Sequence, residues 1–404
     1  MKFIFLSFKR NILPMIFVLL AICLVLFSKS NLVAAKNGLT LWATNVVPSL
    51  FPFFVVTELL ATTNVVYYLG KWLDKIMRPV FGVPGEGAFA FIMGLMSGYP
   101  VGGKIVTRLR QEGLCTKEEG DRMLAFTNNS GPLFIISSVG VSLFGDTRTG
   151  FLLLATHILA CITVGIILAR LSAKKHDFST SVSTTSSTSF SQKKKPIRLG
   201  QLGELLGKSI YNATSTIMMI GGFVILFSVL ISILEHSHCL DYGSQFLTPL
   251  LKIFGFDIRF AKPILSGIIE LTNGVNLVSH VAIKSISENV ILCAFLLGFG
   301  GFSVLLQVFS LLANTDLSIK TYFIGKLMQG IIAAFYTFLA LKFLPFLNLD
   351  IAPTCAPIAE TIVYPVSFLG ISNYVLLLLI LVLIVCFVFC SPHQRKYDRK
   401  TSIK

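Results

Sequence analysis

The chain has 404 residues, of which 54% are hydrophobic and 13% are charged, whereas an average soluble domain carries about 25% charged residues. This composition excludes a water-soluble enzyme. The net charge of +15 does not indicate a nucleic-acid-binding protein, because most Lys and Arg lie between long apolar runs rather than on one basic face. We therefore predict an integral membrane protein that contacts lipid and has no nucleic-acid partner.

Apolar runs that are long enough to cross a bilayer recur along the chain. A transmembrane helix needs about 20 mostly apolar residues. The first run follows Lys9 and Arg10 and was weighed against a cleavable signal, but its apolar stretch is long for one and we interpret it as an anchor. The eight predicted spans are Asn11 to Phe27, Leu41 to Ala61, Met123 to Phe144, Phe151 to Ala169, Asn212 to Leu234, Val290 to Leu312, Thr321 to Leu341 and Asn373 to Cys390.

Two shorter apolar segments lie between these spans. One runs from Gly87 to Leu114 and the other from Phe260 to Ile286. Each contains a short apolar run, a break rich in Gly, Pro or Asn, and a second apolar stretch. Because each run is too short to cross the bilayer, we predict two re-entrant helical hairpins, the first hairpin and the second hairpin.

The two halves of the chain repeat the same order of elements. At a constant offset of 173, Gly94 falls on Gly267, and the break that begins at Ser97 falls on the break that begins at Glu270. The predicted organisation is an anchor at 1–37, a first repeat at 38–172, a disordered Ser/Thr/Lys linker at 173–206, a second repeat at 207–344, and a helix with a basic tail at 345–404.

The distribution of positive charge predicts the orientation. Of the 34 Lys and Arg, 26 fall in segments that this topology places in the cytoplasm, Lys326 among them, so both termini are predicted to be cytoplasmic. The first repeat then begins outside and the second inside, which makes them inverted copies. The predicted fold is therefore an all-α polytopic membrane protein with about eight spans and two re-entrant hairpins. Inverted repeats with broken helices are typical of secondary transporters, which bind substrate near the midplane.

The break of the first hairpin contains most of the candidate substrate-binding residues. Glycines let the backbone approach a ligand, proline stops the first arm, and the free N–H groups of the second arm attract anions, with a lysine one turn further on. The alternative is a tight turn whose lysine extends to the cytoplasm. The candidates here are Ser97, Gly98, Tyr99, Pro100, Gly102, Gly103 and Lys104.

The break of the second hairpin adds Glu270, Thr272 and Asn273 as candidates. Only Glu58 and Glu270 lie well inside apolar runs, and Glu58 is close to the predicted cytoplasmic end of a span. An ionisable group within the membrane is a functional candidate, so Glu270 is predicted to carry a coupling proton or bind a coupling cation. The alternative is that its carboxylate caps the second arm together with Asn273.

The third predicted span contains Asn128, Asn129 and Ser130 before Gly131 and Pro132. Polar side chains in this number are costly against lipid, so they must face protein or a polar cavity, and we predict that they line the substrate site. The equivalent place in the second repeat is rich in glycine, which favours close helix packing or flexing. The histidine His157 is interpreted as a core residue.

Motifs of catalysis and metal binding are absent from the sequence. It contains no HExxH, GxSxG or Walker loop, and its eight cysteines show no CxxC spacing. We therefore expect no enzymatic activity, no cofactor and no metal site.

The order of these motifs resembles the YlbJ family of sporulation integral membrane proteins. The segments that carry the resemblance are the first hairpin break from Ser97 to Lys104, the span with Asn128 to Pro132, and the second hairpin break from Glu270 to Gly274. This family belongs to the nucleoside-recognition or Gate superfamily, which is related in fold to concentrative nucleoside transporters. The resemblance implies transport of dipicolinic acid from the mother cell across the outer forespore membrane.

The first hairpin also departs from the nucleoside transporters. They carry Gln, Thr and Glu where this sequence has Ser97, Gly98 and Tyr99. This difference favours a small planar dianion as the substrate, with Lys104 adding positive charge and Tyr99 stacking on the ring. Two alternatives remain open: a transporter of nucleosides or other small solutes, and a non-transporting component of sporulation membrane assembly. The coupling ion and self-association are also open.

Overall fold

The computed structural model describes residues 2–176, 201–282 and 287–343, and every regular element in these ranges is helical. Three predicted features lie outside the described residues: the central part of the linker at 177–200, the span from Asn373 to Cys390, and the basic tail.

The amino-terminal helices are sharply bent against one another. The axes of α1 and α2 differ by 98°, and those of α3 and α4 by 83°. Helix α4 was not predicted, because charged residues at every turn hide its apolar face; Met77 and Val80 on that face are buried, whereas Lys71 is exposed. The bounds are Lys2–Leu26 for α1, Ser28–Leu41 for α2, Trp42–Val46 for a π-helical turn, Val47–Thr62 for α3 and Val65–Phe81 for α4.

The first hairpin consists of α5 (Gly87–Ser97) and α6 (Val101–Gln111), which pack against one another, while its re-entry into the membrane stays a prediction. Gly94 and Gly102 lie where the two arms meet, and a Cβ at Gly94 would lie 3.1 Å from the Cα of Gly102. The absence of side chains at this point allows backbone to lie against backbone.

The third predicted span is not one helix. Helix α7 (Lys117–Thr127) begins with a capping box and ends at Thr127, Asn128 adopts an extended conformation, and a π-helical segment follows at Phe134–Leu143. Pro132 is consistent with this break, because proline lacks the N–H that a continuous helix requires. We call α7 and Phe134–Leu143 the first broken helix. It leads into α8 (Thr147–His176).

The second half also contains a pair of packed short helices and an interrupted helix. The second hairpin consists of α11 and α12, and α13 and α14 form the second broken helix, interrupted at Gly300. The bounds are Leu202–His236 for α9, Cys239–Ile253 for α10, Ile258–Phe260 for a 3-10 turn, Ala261–Ile269 for α11, Leu271–Ser279 for α12, Ser287–Phe299 for α13, Gly301–Leu312 for α14 and Ile319–Phe343 for α15.

Within the described ranges, four helical segments are long and apolar enough to cross a membrane, or up to six if each bent pair is one span. Four predicted spans, the fourth to the seventh, coincide with these segments and are confirmed as such. The predicted total of eight is not reproduced, because the third span is broken and the eighth lies outside the described residues. The four segments are Thr147–Ser172, Leu202–His236, Ser287–Leu312 and Ile319–Phe343.

Helix α15 packs against α7, α8 and α13 and so brings the two halves of the chain together. Small residues make these approaches close: a Cβ at Gly298 would lie 2.7 Å from the Cα of Gly330, and a Cβ at Gly325 would lie 2.5 Å from the Cβ of Ala125. Small residues at helix contacts are typical of membrane proteins, where close van der Waals packing drives association. This packing positions the interruption of the first broken helix beside the middle of α15.

Candidate functional site

The break of the first hairpin touches the interruptions of both broken helices. Gly98 has a φ of 80°, and a Cβ there would lie 2.9 Å from the backbone nitrogen of Gly131. The hydroxyl of Tyr99 donates a hydrogen bond to the carbonyl of Leu297 at 3.1 Å, and a Cβ at Gly300 would lie 3.0 Å from that hydroxyl oxygen. The break therefore lies between the two halves.

The second hairpin completes this arrangement. Gly301, with a φ of 79°, lies where a Cβ would be 3.1 Å from the carbonyl oxygen of Gly267 and 3.2 Å from the backbone nitrogen of Leu271. Two successive residues, Gly300 and Gly301, have positive φ and interrupt the helix in a backbone conformation that only glycine adopts without strain. The four helix interruptions thus form one continuous contact.

A buried lysine lies beside this contact. The ammonium of Lys326 on α15 donates hydrogen bonds to the carbonyl of Asn128 at 2.7 Å and to Oε1 of Gln329 at 2.6 Å, and it lies 5.1 Å from the centre of the Tyr99 ring. Only 1% of the surface of Lys326 is exposed. The prediction that Lys326 is a cytoplasmic charge is therefore wrong, because the interruption at Asn128 frees a carbonyl that binds the ammonium inside the protein.

The polar contacts continue from Gln329 into the first broken helix. Its Nε2 donates to Oδ1 of Asn129 at 2.8 Å and lies 3.4 Å from Nε2 of His157, which also accepts from the backbone N–H of Ser130 at 3.3 Å. All of these residues are buried. The predicted polar residues of the third span therefore face protein, and His157 is part of their network. We call Asn128, Asn129, Ser130, His157, Lys326 and Gln329 the central network.

Asn128 also joins the central network to the first hairpin. Its Nδ2 donates to the Tyr322 hydroxyl at 2.8 Å, and its Oδ1 accepts from the backbone N–H of Gly103 at 3.3 Å. A Cβ at Gly102 would overlap the carbonyl oxygen of Thr127, so the arm lies directly on the first broken helix. Pro100 is the buried residue that precedes α6.

Glu270 caps the second arm of the second hairpin. Its Oε1 accepts from the backbone N–H of Thr272 at 3.0 Å and its Oε2 accepts from that of Asn273 at 2.7 Å, while Nδ2 of Asn273 donates to Oγ of Ser266 at 3.0 Å. The residue is 6% exposed. The capping alternative is thus present, and the coupling role of Glu270 stays a prediction. Glu86 is also buried, which the apolar runs did not predict.

A cavity of about 640 Å³ lies between α3, α6 and α9. Lys104 and Glu58 line it and form an ion pair, with 2.6 Å between Nζ and Oε1. Nζ of Lys104 also donates to Oγ1 of Thr216 at 2.9 Å, and Nδ2 of Asn212 donates to Oε2 of Glu58 at 3.1 Å. Arg108 is a further positive residue of the lining. The cavity therefore has a charged wall whose lysine is already paired.

Among the predicted site residues, all of which the structure describes, only Lys104 lines this cavity. Ser97 is fully buried behind it, with its Oγ 3.2 Å from Oγ1 of Thr57 on the cavity wall. Tyr99 does not line the cavity, and its predicted stacking on a substrate ring stays a prediction. Thr272 and Asn273 lie at the second hairpin, apart from the cavity.

A second connection between the halves lies at the carboxyl end of α6. Nε and Nη2 of Arg110 donate to the two carboxylate oxygens of Asp316, each at 2.9 Å, in the segment between α14 and α15. The hydrogen bonds from Arg110 lower the pKa of Asp316. In the same segment the backbone N–H of Ser318 donates to Oδ1 of Asp121 at 2.7 Å. Within the described ranges, no group of three His, Cys, Asp or Glu side chains is placed to hold a metal ion.

Comparison with known proteins agrees with this architecture. Residues 43–175 and 217–315 match the Gate family, which is described as nucleoside recognition. The sporulation integral membrane protein YlbJ of Bacillus subtilis (strain 168) is 36% identical over 332 residues, which cover 81% of this chain and 81% of that protein. No solved structure matches significantly. The chain therefore belongs to the YlbJ family of sporulation integral membrane proteins, and it carries the Gate domain.

Proposed function

We propose that the protein is a secondary-type transporter that moves a small anionic metabolite, dipicolinic acid, unchanged across the outer forespore membrane from the mother cell. The observation that supports this most directly is the meeting of four helix interruptions around buried polar groups. Non-helical backbone at membrane depth is stable only inside protein or beside a cavity, and transporters bind substrate where such interruptions meet. The proposal includes no cofactor and no catalytic step.

The proposed topology has both termini in the cytoplasm and two inverted repeats, at 38–172 and 207–344, each with a re-entrant hairpin. Two local similarities between the halves of the chain support the repeat. Helices α4 and α10 are followed by Gly82 and Gly255, 173 residues apart and both with positive φ. The arms of the second hairpin meet at Gly267 and Gly274, as those of the first meet at Gly94 and Gly102. Labelling of single introduced cysteines from each side of the membrane tests this topology.

The cavity supports an anionic substrate. Its volume of about 640 Å³ lies within the range of about 300–1,000 Å³ that is usual for small-molecule sites. Lys104 and Arg108 supply positive charge at its wall, and the carboxylates of Glu58 and Glu112, which also line it, pair with them when no substrate is bound. In the proposed mechanism a substrate carboxylate replaces Glu58 as the partner of Lys104.

Uptake of radiolabelled dipicolinate by proteoliposomes tests the proposal. We expect uptake by the unaltered protein and a loss of at least about tenfold in Lys104→Met, which corresponds to about 1.4 kcal/mol. Glu58→Gln removes the competing carboxylate and is expected to strengthen binding of dipicolinate. The matched control is Lys262→Met, at a lysine that pairs with Glu235 and Asp241 away from the cavity. Uptake no greater than in protein-free vesicles would refute the proposal.

The description of the Gate family as nucleoside recognition favours one second candidate, transport of a nucleoside. Uptake measurements with the same proteoliposomes distinguish nucleoside transport from dipicolinate transport. Protein-dependent uptake of radiolabelled uridine, unaffected by excess dipicolinate, supports the nucleoside candidate, whereas uptake of dipicolinate that excess uridine does not inhibit supports the anion.

A further inference from the structure

Lys326 is a buried charge without a charged partner. It is the eighth residue of a 25-residue helix that is apolar enough to cross a membrane, and only 1% of its surface is exposed. Among the described residues, the lysines that form ion pairs with carboxylates are Lys104 and Lys262, and Lys326 is not one of them. An ammonium at such a position is costly and is normally paired or functional.

The neighbours of Lys326 solvate its ammonium but do not neutralise it. Two uncharged oxygens accept from it, and the ring of Tyr99 presents its π electrons. Because the carbonyl of Gln329 faces the ammonium, its NH₂ group faces Asn129 and His157. Nε2 of His157 faces two N–H donors, which assigns the ring proton to Nδ1 and makes the imidazole neutral. With Lys326 protonated, the central network carries one net positive charge, because none of its other members is charged.

The central network also has unused capacity for hydrogen bonds. Nδ1 of His157, in this network, and Oγ1 of Thr127, which precedes Asn128 in the chain, are buried without a hydrogen-bond partner among the described residues. Buried polar atoms are normally satisfied by protein, water or a ligand. Unpaired groups beside a lone positive charge fit a site that is complete only when a polar, negatively charged molecule is bound.

Asn128 connects Lys326 to the charged wall of the cavity. Its carbonyl accepts from Lys326, and its side chain accepts from the backbone N–H of Gly103, the residue before Lys104. Asn128 thus contacts Lys326 directly and contacts the residue that precedes Lys104. A molecule with two carboxylates needs two positive partners, and these two lysines offer one paired and one unpaired ammonium.

We propose that Lys326 is the residue that makes the site specific for carboxylates, and that a substrate carboxylate replaces Oε1 of Gln329 at its ammonium. This inference rests on the proposed transport function and deepens it. Lys104 at the cavity and Lys326 in the central network then act in succession or together on a dicarboxylate, whereas an uncharged solute of the same shape leaves Lys326 unpaired.

Calorimetric binding to the purified full-length protein tests the inference. The probes are pyridine-2,6-dicarboxylate, pyridine-2-carboxylate, benzoate, the uncharged pyridine-2,6-dimethanol, and uridine. A hydrogen bond to a charged group corresponds to about a 10- to 100-fold change in affinity. We expect Lys326→Met and Lys326→Gln to weaken carboxylate binding by that factor and to leave binding of the dimethanol unchanged. Lys262→Met is the matched control.

Gln329→Glu provides a test that keeps Lys326. The new carboxylate lies where Oε1 now accepts at 2.6 Å, so it competes with the substrate inside the protein. We expect a loss of carboxylate binding of the same order. Lys326→Gln preserves a donor but not the charge, so full binding by that variant would indicate a purely structural hydrogen bond.

The outcomes separate the two proposals. Equal carboxylate binding by the unaltered protein and the three variants overturns the role of Lys326 and leaves transport of dipicolinate standing. Lys326-dependent binding of benzoate or pyridine-2-carboxylate without binding of the 2,6-dicarboxylate supports Lys326 and refutes dipicolinate as the substrate. Binding of uridine with no binding of any carboxylate overturns both.

Discussion

Substitution of Glu270 measures how much a buried carboxylate contributes to the stability of the second hairpin. Its two oxygens accept backbone hydrogen bonds at 3.0 and 2.7 Å. A hydrogen bond to a charged group contributes about 1.5–3 kcal/mol, so Glu270→Ala, which removes both, is expected to lower the free energy of unfolding by about 3–6 kcal/mol. Glu270→Gln keeps one acceptor oxygen, and we expect it to lose about half as much.

The assay is reversible unfolding of the purified protein by SDS in mixed micelles. Glu112→Ala is the matched control, because that carboxylate pairs with Arg108 four residues away on the surface, with side-chain exposures of 42% and 41%. Exposed pairs of this kind contribute about 0.3–0.5 kcal/mol. If Glu270→Ala is no less stable than Glu112→Ala, the interpretation of Glu270 as a cap is wrong.

The same variants separate capping from ion coupling. If Glu270 only caps α12, uptake in proteoliposomes falls in parallel with stability, and Glu270→Gln retains any dependence of uptake on a proton or sodium gradient. If Glu270 carries the coupling ion, the folded Glu270→Gln variant loses that dependence. A folded Gln variant with unchanged gradient dependence would refute the coupling prediction.

Three further predictions concern other contacts within the fold. Arg110 lowers the pKa of Asp316, so this ion pair is fully formed above the ordinary pKa of aspartate, about 4, and is lost as the pH falls through the lowered value. Asp316→Asn should therefore remove an acid-sensitive part of the stability, which unfolding measured between about pH 3 and 7 would detect. Gly102→Ala places a methyl group on a backbone carbonyl and should lower the free energy of unfolding by about 3 kcal/mol, the upper end for overpacking. Gly207→Ala, in an open helical position, should raise it by about 0.5–1 kcal/mol, and unfolding in SDS compares the two variants. Tyr99→Phe removes one buried hydrogen bond and should lower the free energy of unfolding by about 0.5–1.5 kcal/mol. An unchanged free energy of unfolding is expected if the hydroxyl binds water instead of the carbonyl of Leu297.

The position of the first hairpin could be predicted because local chemistry dictates it. Gly98 adopts a positive φ and Pro100 lacks a backbone donor, so no continuous helix passes through this point. The second hairpin was placed correctly, but its break was predicted from Glu270 to Gly274 and consists of Glu270 alone. The difference arises because the side chain of Glu270 caps the new helix at once and draws Thr272 and Asn273 into its first turn.

The role of Lys326 could not be predicted from the local sequence. A lysine six residues after Lys320 in an apolar helix is typical of a side chain that extends to the membrane surface. Its burial depends on the carbonyl of Asn128, which is 198 residues away in the chain. A signal was nevertheless present: Tyr322, Lys326 and Gln329 follow one another at spacings of four and three and so share one helix face.

The charged wall of the cavity was predicted in part. Lys104 was recognised as a candidate, whereas Glu58 was set aside because it lies near the end of an apolar run. Sequence reasoning does not pair the two, since α3 and α6 come together only through the packing of α5 and α9. Long-range contacts of this kind carry no local periodicity, so the ion pair emerges only from the folded structure.

The length of α9 has a consequence for the linker that precedes it. At about 1.5 Å per residue, its 35 residues extend over about 52 Å, whereas the hydrocarbon core is about 30 Å thick. Even a tilt of about 40°, the upper end of the observed range, accommodates only about 39 Å. The polar residues Glu204 and Lys208 place the surplus at its amino-terminal end, and α8, with 30 residues, ends in the polar stretch that leads to the same linker. The carboxyl end of α8 and the amino end of α9, which adjoin the linker, therefore extend beyond the hydrocarbon core by about 6 Å and about 13 Å even at this tilt.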